Sequence, residues 1–420
     1  MVYVISKRGK PLMPCTNVIA RLLLKQDKAK VKRRCPFMIQ LTYDATQYIQ
    51  DCTLGVDTGS AHIGAAVVDA DKRVLYMSET KIRNDITQKM DRRRAYRKVR
   101  RYRKTRYRKT RWMNRKNSKR ENRFSPTMVS KLHSHQKEIE FVKSILPITR
   151  LVIETGTFDC HLMKNPMLYN QKYRHWGYQQ GPDYGFANTK AKVLNRDSYT
   201  CQCCRGKRKD SKLEVHHIVY RSKGGSNEED NLITLCHTCH SALHHGMMKL
   251  KVNGKQKGNL RYATQMNSIR TQLLKLYPEA IETFGYVTKE NLQLSGLPKT
   301  HCNDAVMIAS GGNTVNFKTH SLCRKKCIPK GDYQQTKGIR SEQPLITKKI
   351  YGFRKFDKVQ YLGKEYFIKG RMSTGYTVLM DIDGNKVDFS YMPKGYKTPK
   401  LKNCKRITAR NGWMIQEIAI

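Results

Sequence analysis

Two pairs of closely spaced cysteines are the residues whose spacing most directly implies chemistry. Cys201 and Cys204 form one CxxC knuckle, and Cys236 and Cys239 form a second. Each knuckle presents two thiolates that one tetrahedral Zn²⁺ can accept, and four unrelated buried thiols would not explain two matching knuckles. The sequence therefore predicts a structural zinc site. Cys203 lies inside the first knuckle and could replace one ligand, although the outer pair offers better geometry.

Histidine and asparagine residues between and after the knuckles predict a hydrolytic centre. His216 and His217 end a predicted strand. Asn231 lies on the loop that follows, and His240 enters a predicted helix. Hydrolysis of a phosphodiester requires a base that deprotonates water and a divalent cation that stabilises charge on the phosphate. A single histidine is ordinarily a surface residue, but this combination within a two-knuckle finger favours a nuclease.

Acidic residues from three distant segments form a second candidate centre. Asp57 and Glu154 each end a predicted strand, and Asp304 follows His301 by three residues, on the same helix turn. Two Mg²⁺ ions about 3.5–4 Å apart require several carboxylate oxygens whose charge offsets that of the ions. Taken singly, each acid is explained by a turn or by a charged strand end. Their order along the chain predicts a joint metal site.

The elements that must position these acids alternate between strands and helices. Hydrophobic periodicity predicts, in chain order, strands at 54–57, 63–68 and 74–82, a helix at 127–147, a strand at 150–154, a helix near 260–276, a strand near 283–288 and a helix at 303–310. This order matches a ribonuclease-H-like fold in which the acids come from the first strand, the fourth strand and the last helix. The match requires that an arginine-rich segment and the zinc finger are insertions.

The flanking regions give weaker signals. Residues 10–14 read as a turn and 32–42 as one strand, while the last hundred residues predict a small basic β-barrel or sheet. Cys323, Cys327 and Cys404 could bind a second metal, but without a convincing fourth ligand we favour free thiols.

Positive charge dominates the composition. The chain has 82 Lys and Arg against 33 Asp and Glu, a formal net charge of +49, and the excess extends from Lys7 to Arg410. A compact protein with this excess repels itself unless a polyanion neutralises it, which favours nucleic acid as the partner. The most basic stretch, 91–123, has too few aliphatic residues for a lipid surface. It predicts a helix whose tyrosines and tryptophan could stack on unpaired bases.

The expected compartment is the cytoplasm. No run approaches the ~20 apolar residues of a membrane span, and the apolar part of the first residues is too short for a signal peptide. The 13 cysteines are therefore expected to be reduced thiols or metal ligands.

The whole layout resembles the IscB family, transposon-encoded relatives of the type II CRISPR effector nucleases. The zinc finger by itself resembles the HNH endonucleases, including its segments 221–226 and 231–236. The other matching motifs are Pro11-Leu12-Met13-Pro14, Gly55-Val56-Asp57, Val152-Ile153-Glu154 and His301-Cys302-Asn303-Asp304. The resemblance implies an α/β multidomain protein with a ribonuclease-H-like (RuvC) mixed sheet split into three segments. An arginine-rich bridge helix and a ββα-metal HNH zinc finger are inserted in it.

The resemblance also implies domain boundaries. They are an N-terminal PLMP domain (1–50), RuvC-like segment I (51–88), the bridge helix (89–124), segment II (125–188), the HNH domain (189–248), segment III (249–318) and a β-rich C-terminal region that contacts guide RNA and the target-adjacent motif (319–420).

The implied activity is RNA-guided cleavage of double-stranded DNA by a monomeric protein bound to a noncoding omega RNA. The HNH centre would cut the guide-paired strand, with His217 as general base and His216 and His240 as metal ligands. Asn231 would orient the base or assist the metal. The RuvC-like centre would cut the other strand, using Asp57, Glu154, His301 and Asp304. Both centres would use Mg²⁺ or Mn²⁺, and the acids would be the Mg²⁺ ligands. The implied RNA contacts are Arg93, Arg94, Arg97, Arg100, Arg101, Arg103, Arg106, Arg108 and Arg111.

Two other functions fit parts of the sequence. An unguided HNH homing or restriction endonuclease would cut without RNA and would have one active centre. A non-catalytic RNA-binding accessory protein of a transposon would bind RNA regardless of His217. The intact Asp57, Glu154 and Asp304 favour the two-centre nuclease.

Overall fold

The computed structural model describes most of the chain in two compact units. The described residues are 1–46, 48–102, 124–164, 169, 184–208, 210–221, 225–250, 260–317, 321–329, 349–393 and 395–419. One unit comprises Met1–Gly156 and Met266–Ile420, and the other comprises Thr157–Gln265. Among the described residues, no helix combines the length and the apolar character that crossing a membrane requires.

The described secondary structure mixes strands and helices. The strands are β1 (Val2–Ile5), β2 (Pro11–Cys15), β3 (Ala29–Arg34), β4 (Phe37–Leu41), β5 (Cys52–Thr58), β6 (His62–Asp69), β7 (Arg73–Lys81), β8 (Arg150–Thr155), β9 (Leu213–His217), β10 (Leu232–Cys236), β11 (Ile281–Phe284), β12 (Asn316–Phe317), β13 (Ser321–Cys327), β14 (Lys358–Tyr361), β15 (Lys364–Arg371), β16 (Thr377–Met380), β17 (Lys405–Thr408) and β18 (Trp413–Ala419). The helices are α1 (Asn17–Lys25), α2 (Ile86–Tyr102), α3 (Pro126–Lys143), α4 (Cys160–Lys164), α5 (Thr189–Arg196), α6 (His237–His244), α7 (Arg261–Leu276), α8 (Gly285–Ser295) and α9 (His301–Ser310).

A four-stranded sheet in the order β2-β1-β4-β3 forms the N-terminal part. The turn predicted at 10–14 is wrong, because Pro11–Cys15 is an edge strand, where a missing proline N–H interrupts no ladder. The single strand predicted at 32–42 is also wrong. Pro36 lies between two antiparallel strands, β3 and β4, and cannot supply a ladder donor.

An eight-stranded sheet is the centre of the first unit. Its order is β11-β8-β5-β6-β7-β13-β18, and β12 also pairs with β7. The predicted meander of β5, β6 and β7 is confirmed as antiparallel, while β8 pairs in parallel with β5. The strand predicted near 283–288 instead ends at Phe284, and the helix α8 follows it. Strands β13 and β18, which the sequence assigned to the C-terminal region, extend this sheet beyond β7.

Helices cover both faces of the sheet. Alternate residues of β6 point to opposite faces, so Ala65 and Val67 pack with α3 and α7, while Ala66 and Val68 pack with α9. Burial on both sides explains why β6 reads as a continuous apolar run. Strands β14 to β17 form the separate basic sheet predicted near the C-terminus, in the order β16-β15-β14-β17.

Two glycines let α9 lie directly on the sheet. A Cβ atom on Gly55 would lie 2.4 Å from the Ala305 carbonyl oxygen, and one on Gly64 would lie 1.8 Å from the His301 carbonyl oxygen. Only a residue without a side chain fits at either position. This close approach brings the first turn of α9 over the ends of β5 and β6.

A buried ion pair joins α3 to the sheet. Lys325 on β13 donates to Glu138 Oε1 at 2.6 Å, and both side chains are fully enclosed. Ser78 and Thr80 on β7 donate to the same carboxylate at 2.7 and 2.9 Å. The carboxylate is therefore satisfied by partners from two strands.

The second unit contains a ββα finger. Strands β9 and β10 form an antiparallel pair, and α6 begins directly after β10. This arrangement places the ends of both strands and one face of α6 around a small core, as the sequence predicts.

Candidate functional site

The four knuckle cysteines converge in the second unit. One sulfur from each of Cys201, Cys204, Cys236 and Cys239 lies within 4.8 Å of the others. Cys203 is exposed and does not belong to this group. A backbone N–H bond from Arg208 lowers the pKa of Cys204 to about 7, whereas burial raises the pKa of Cys236. Four converging thiols fit one tetrahedral Zn²⁺ and support the predicted structural site.

Three imidazoles form a second cluster on the finger. His240 Nε2 lies 3.0 Å from His216 Nδ1 and 3.1 Å from His244 Nε2. On the other side of its ring, His240 Nδ1 donates to Glu214 Oε2 at 2.5 Å. This bond directs Nε2 toward the cluster, as a carboxylate commonly does behind a metal-bound histidine.

The environment of His216 favours its neutral ring. Burial, together with the neighbouring His240 and His244, lowers the pKa of His216 to about 4. A neutral imidazole offers a lone pair to a cation, so the cluster is suited to bind a divalent ion at neutral pH. The sequence singled out His216 and His240. The missed His244 lies one helix turn after His240, a spacing that could have indicated it.

His217, the predicted general base, lies outside the cluster and contacts an amide. Its Nε2 lies 2.9 Å from Asn227 Oδ1, which also accepts from the Arg221 guanidinium at 2.8 Å. Because Asn227 Oδ1 is an acceptor, His217 Nε2 carries the proton and Nδ1 keeps a lone pair. The geometry thus leaves one ring nitrogen able to take a proton from water.

Asn231 contacts backbone rather than the base. Its Oδ1 accepts from Val219 N at 2.8 Å, and its Nδ2 donates to the carbonyl oxygens of Val219 and Ser226 at 3.1 and 2.8 Å. It is 1% exposed. The side chain therefore braces the loop that follows β9, and Asn227 holds the position next to His217 that the sequence assigned to Asn231.

The acidic residues of the first unit meet at the end of β5. Ligand atoms of Asp57, His301 and Asp304 lie within 4.8 Å of one another. His301 Nδ1 donates to Asp57 Oδ2 at 2.6 Å, and this bond raises the pKa of His301. The ring of His62 on β6 stacks on His301 with 5.2 Å between centroids. The sequence analysis did not identify His62.

Glu154 lies beside this group without belonging to it. It is the register partner of Asp57 across the parallel pair β5 and β8, so both side chains share one face. Burial raises the pKa of Glu154, and the charges of Asp57 and Asp304 raise it further. Thr288 lies close enough to oppose this effect, although Glu154 Oε2 completes no hydrogen bond to a described residue.

The acidic site contains an enclosed carboxylate oxygen that lacks a hydrogen-bond partner among the described residues. Burial raises the pKa of Asp304, the charge of Asp57 adds to this effect, and Asp304 Oδ1 is enclosed without a partner among the described residues. Buried acceptors are ordinarily satisfied. Oxygens of this kind are the ligands that Mg²⁺ accepts, so the arrangement fits a divalent cation.

The arginine-rich helix is described only in part. Arg93, Arg94 and Arg97 lie on α2, whose side chains are exposed at these positions. The side chains of Arg100 and Arg101 lie outside the described residues, as do Arg103, Arg106, Arg108 and Arg111. The aromatic residues predicted to stack on bases lie outside them as well. Cys323, Cys327 and Cys404 are free thiols and belong to none of the described ligand clusters.

Comparison with protein families gives two matches. Residues 2–181 match the family described as RRXRR protein. Residues 201–246, which contain the cysteine and histidine clusters, match the family described as HNH endonuclease.

Comparison with individual proteins gives shorter matches. Anaredoxin of Nostoc sp. (strain PCC 7120) is 34% identical over 70 residues, covering 17% of this chain and 90% of that protein. The type IV methyl-directed restriction enzyme EcoKMcrA of Escherichia coli (strain K12) is 32% identical over 83 residues, covering 16% of this chain and 30% of the enzyme. The crystal structure of Streptococcus thermophilus Cas9 in complex with the AGAA PAM gives a TM-score of 0.33 at 10% identity, covering 58% of this chain and 32% of that chain.

Proposed function

We propose that the chain is an RNA-guided DNA endonuclease with two cleavage centres, because a region that matches the HNH endonuclease family follows a region that matches the RRXRR family, as in IscB-like nucleases. The observation that carries the proposal is the pair of separate ligand clusters, one of histidines in the finger and one around Asp57. An unguided HNH enzyme needs only the first cluster, and a non-catalytic RNA-binding protein needs neither.

The finger cuts the guide-paired strand in this proposal. His217 accepts the proton of the attacking water at Nδ1, because Asn227 fixes the proton on Nε2. A cation bound by His216, His240 and His244 would stabilise the charge on the phosphate. Three nitrogen ligands fit Mn²⁺ and other transition ions better than Mg²⁺, which prefers oxygen. We therefore propose Mn²⁺ as an effective ion at this centre.

The acidic centre cuts the other strand. We assign it to a ribonuclease-H-like sheet because the acids come from β5, β8 and α9, in the order that such a fold uses. Asp57, Glu154 and Asp304 offer oxygens for Mg²⁺, which would stabilise the attacking and leaving oxygens of the phosphodiester. Asp57 holds the His301 ring through Nδ1, so Nε2 is the atom that can take a proton.

The guide RNA is proposed from charge and from the RRXRR match. The exposed arginines of α2 can pair with phosphates, and arginine forms bidentate bonds with them. The net charge of +49 favours a ribonucleoprotein in which RNA neutralises part of the surface. Pairing with the guide would then supply sequence specificity, while the protein contacts the flanking motif.

The test is cleavage of a plasmid library with randomised flanks, in Mg²⁺ and in Mn²⁺, by protein purified with or without its flanking noncoding RNA. We expect cleavage only with RNA. His217→Ala and Asp57→Ala should each convert double-strand cleavage into nicking, on opposite strands, because each variant removes one centre.

The controls separate the competing functions. Equal cleavage without RNA would support the unguided endonuclease, and RNA binding without any cleavage would support the accessory protein. If both single variants still linearise the plasmid, the assignment of two centres is wrong.

A further inference from the structure

A basic cavity lies between the two ends of the chain in the first unit. Its volume is about 640 Å³, within the range of ~300–1,000 Å³ typical of ligand pockets. One wall is formed by the end of β3 and the start of β4, and the other by the end of β17 and the start of β18. The lining residues are Val31, Lys32, Arg33, Arg34, Cys35, Phe37, Ile407, Thr408, Ala409, Asn411, Trp413 and Ile415.

The charged side chains that line this cavity are all cationic. Lys32, Arg33 and Arg34 line it, and its described lining residues include no Asp or Glu. Consecutive residues of a regular strand point to opposite faces. The register shifts between Val31 and Arg33, so that Lys32 is an extra residue in the pairing with β4. Such a bulge redirects side chains, which explains how three consecutive cations reach one cavity.

Part of the Arg33 guanidinium is removed from water, and none of the described carboxylates forms an ion pair with it. Its Nη1 is enclosed and has no hydrogen-bond partner among the described residues, and the guanidinium lies 5.0 Å from the centre of the Phe141 ring. Burial lowers the pKa of Arg33, and no carboxylate is among the described groups that act on it. A guanidinium that folding has already partly desolvated loses less hydration free energy when it binds an anion than an exposed guanidinium does. Its net gain in binding free energy is therefore larger.

We propose that this cavity binds a phosphodiester group and its nucleotide from a single strand of nucleic acid, with Arg33 as the main phosphate ligand and Lys32 and Arg34 beside it. The ligand class follows from the charge, from the fork of donors that arginine offers to phosphate and from a volume large enough for more than the phosphate alone. The proposal rests on the proposed function for the presence of nucleic acid. RNA and DNA share this chemistry, and the experiment distinguishes them.

The test compares variants of the full-length protein. Arg33→Met keeps an aliphatic stem against Phe141 and removes the charge, Arg33→Lys restores the charge without the fork, and Lys30→Ala is the matched control. Lys30 lies on the same strand, is exposed and does not line the cavity. Affinity is measured by fluorescence anisotropy with a labelled single-stranded RNA and a DNA of the same sequence, at several salt concentrations.

We expect Arg33→Met to weaken binding of at least one strand about tenfold or more, as loss of a charged hydrogen bond does. The slope of log affinity against log salt should fall by about 0.7, the value for one phosphate of a single strand. Arg33→Lys should keep the slope, and Lys30→Ala should change affinity less than about twofold. An effect on RNA alone assigns the cavity to the guide, and an effect on DNA alone assigns it to a DNA strand.

Crosslinking of the wild-type protein gives a result that does not depend on how the variants fold. A 4-thiouridine RNA and a 4-thiothymidine DNA are irradiated with the protein, and the crosslinked peptides are mapped. We expect a crosslink within residues 33–37. Absence of such a peptide from both strands, or an Arg33→Met protein that binds like Lys30→Ala, overturns the cavity assignment. In that case, RNA-dependent cleavage would still support the proposed function. Conversely, a crosslink in the cavity of a protein that shows no cleavage would overturn the proposed function and leave the cavity assignment intact.

Discussion

Replacing Asp304 by Asn should stabilise the metal-free protein and remove its stabilisation by Mg²⁺. Asp304 is 7% exposed and its Oδ1 has no partner among the described residues. An enclosed acceptor without a partner costs about 1–3 kcal/mol. The amide of Asn is uncharged and can donate toward Asp57, so we expect a gain of about 1–2 kcal/mol. For a unit of about 300 residues that gain corresponds to a rise in Tm of roughly 1.5–3 °C.

The pH dependence of this gain follows from the direction of the pKa shifts. Burial and the Asp57 charge raise the pKa of Asp304 in the folded state, so the ionised form is disfavoured there. The penalty is fully present above the folded pKa, declines as the pH falls and is absent below the unfolded pKa of about 3.9. The advantage of Asp304→Asn should therefore be largest near pH 8 and should disappear toward pH 4.

The assay is differential scanning calorimetry in EDTA at several pH values, then in Mg²⁺. The wild type should gain stability on adding the ion, about 2.7 kcal/mol at one hundred times its Kd, and the variant should gain much less. Asp51→Asn is the control, since Asp51 is exposed just before β5. A lower Tm for Asp304→Asn in EDTA, or an equal gain from Asp51→Asn, would refute the reasoning.

Three further variants test contacts within one or the other unit. Gly64→Ala should abolish cleavage by the acidic centre and leave a nicking activity, because the new Cβ would lie 1.8 Å from the His301 carbonyl oxygen. Cys239→Ser should lower bound zinc, measured by atomic emission, from about one ion per chain to none, whereas Cys203→Ser should retain it. Asn231→Ala should destabilise the finger by about 2–3 kcal/mol, measured by hydrogen exchange, because it leaves three backbone groups without partners.

Each of these expectations has a contradicting result. Double-strand cleavage by Gly64→Ala would mean that cleavage at the acidic centre does not require the present close approach of α9 to β6. Equal zinc loss in both cysteine variants would make Cys203 a ligand. Unchanged hydrogen exchange of the finger in Asn231→Ala would mean that Asn231 does not stabilise the loop. The predicted role of Asn231 in orienting the base would then be favoured.

The sequence was sufficient to predict the parts of the two sites that depend on local spacing. The two CxxC knuckles, the ββα finger and the pair His301 and Asp304 on one helix turn required only residue types and intervals. The order of the acids along the chain predicted a joint site, and the structure pairs β5 with β8 so that Asp57 is the register partner of Glu154.

The remaining features depend on contacts between distant segments. Asn227 reaches His217 through the geometry of a loop, for which the sequence offers no periodic signal. His62 stacks on His301 because two glycines let a helix approach the sheet, and no sequence interval encodes that distance. The edge position of β2 likewise decides whether its prolines form a turn or a strand.

The ion pair between Glu138 and Lys325 has a consequence for synthesis on the ribosome. A nascent chain that has emerged as far as α9 already contains every acid of the acidic centre, yet β7 still has an open edge and Glu138 lacks its cation. A carboxylate enclosed without its cation costs about 3–5 kcal/mol, so packing α3 on the sheet is less favourable at that stage. Translation of β13 supplies the cation, and β18 then pairs with β13. We therefore expect the acidic centre to become stable late in translation, whereas the contiguous finger can fold earlier.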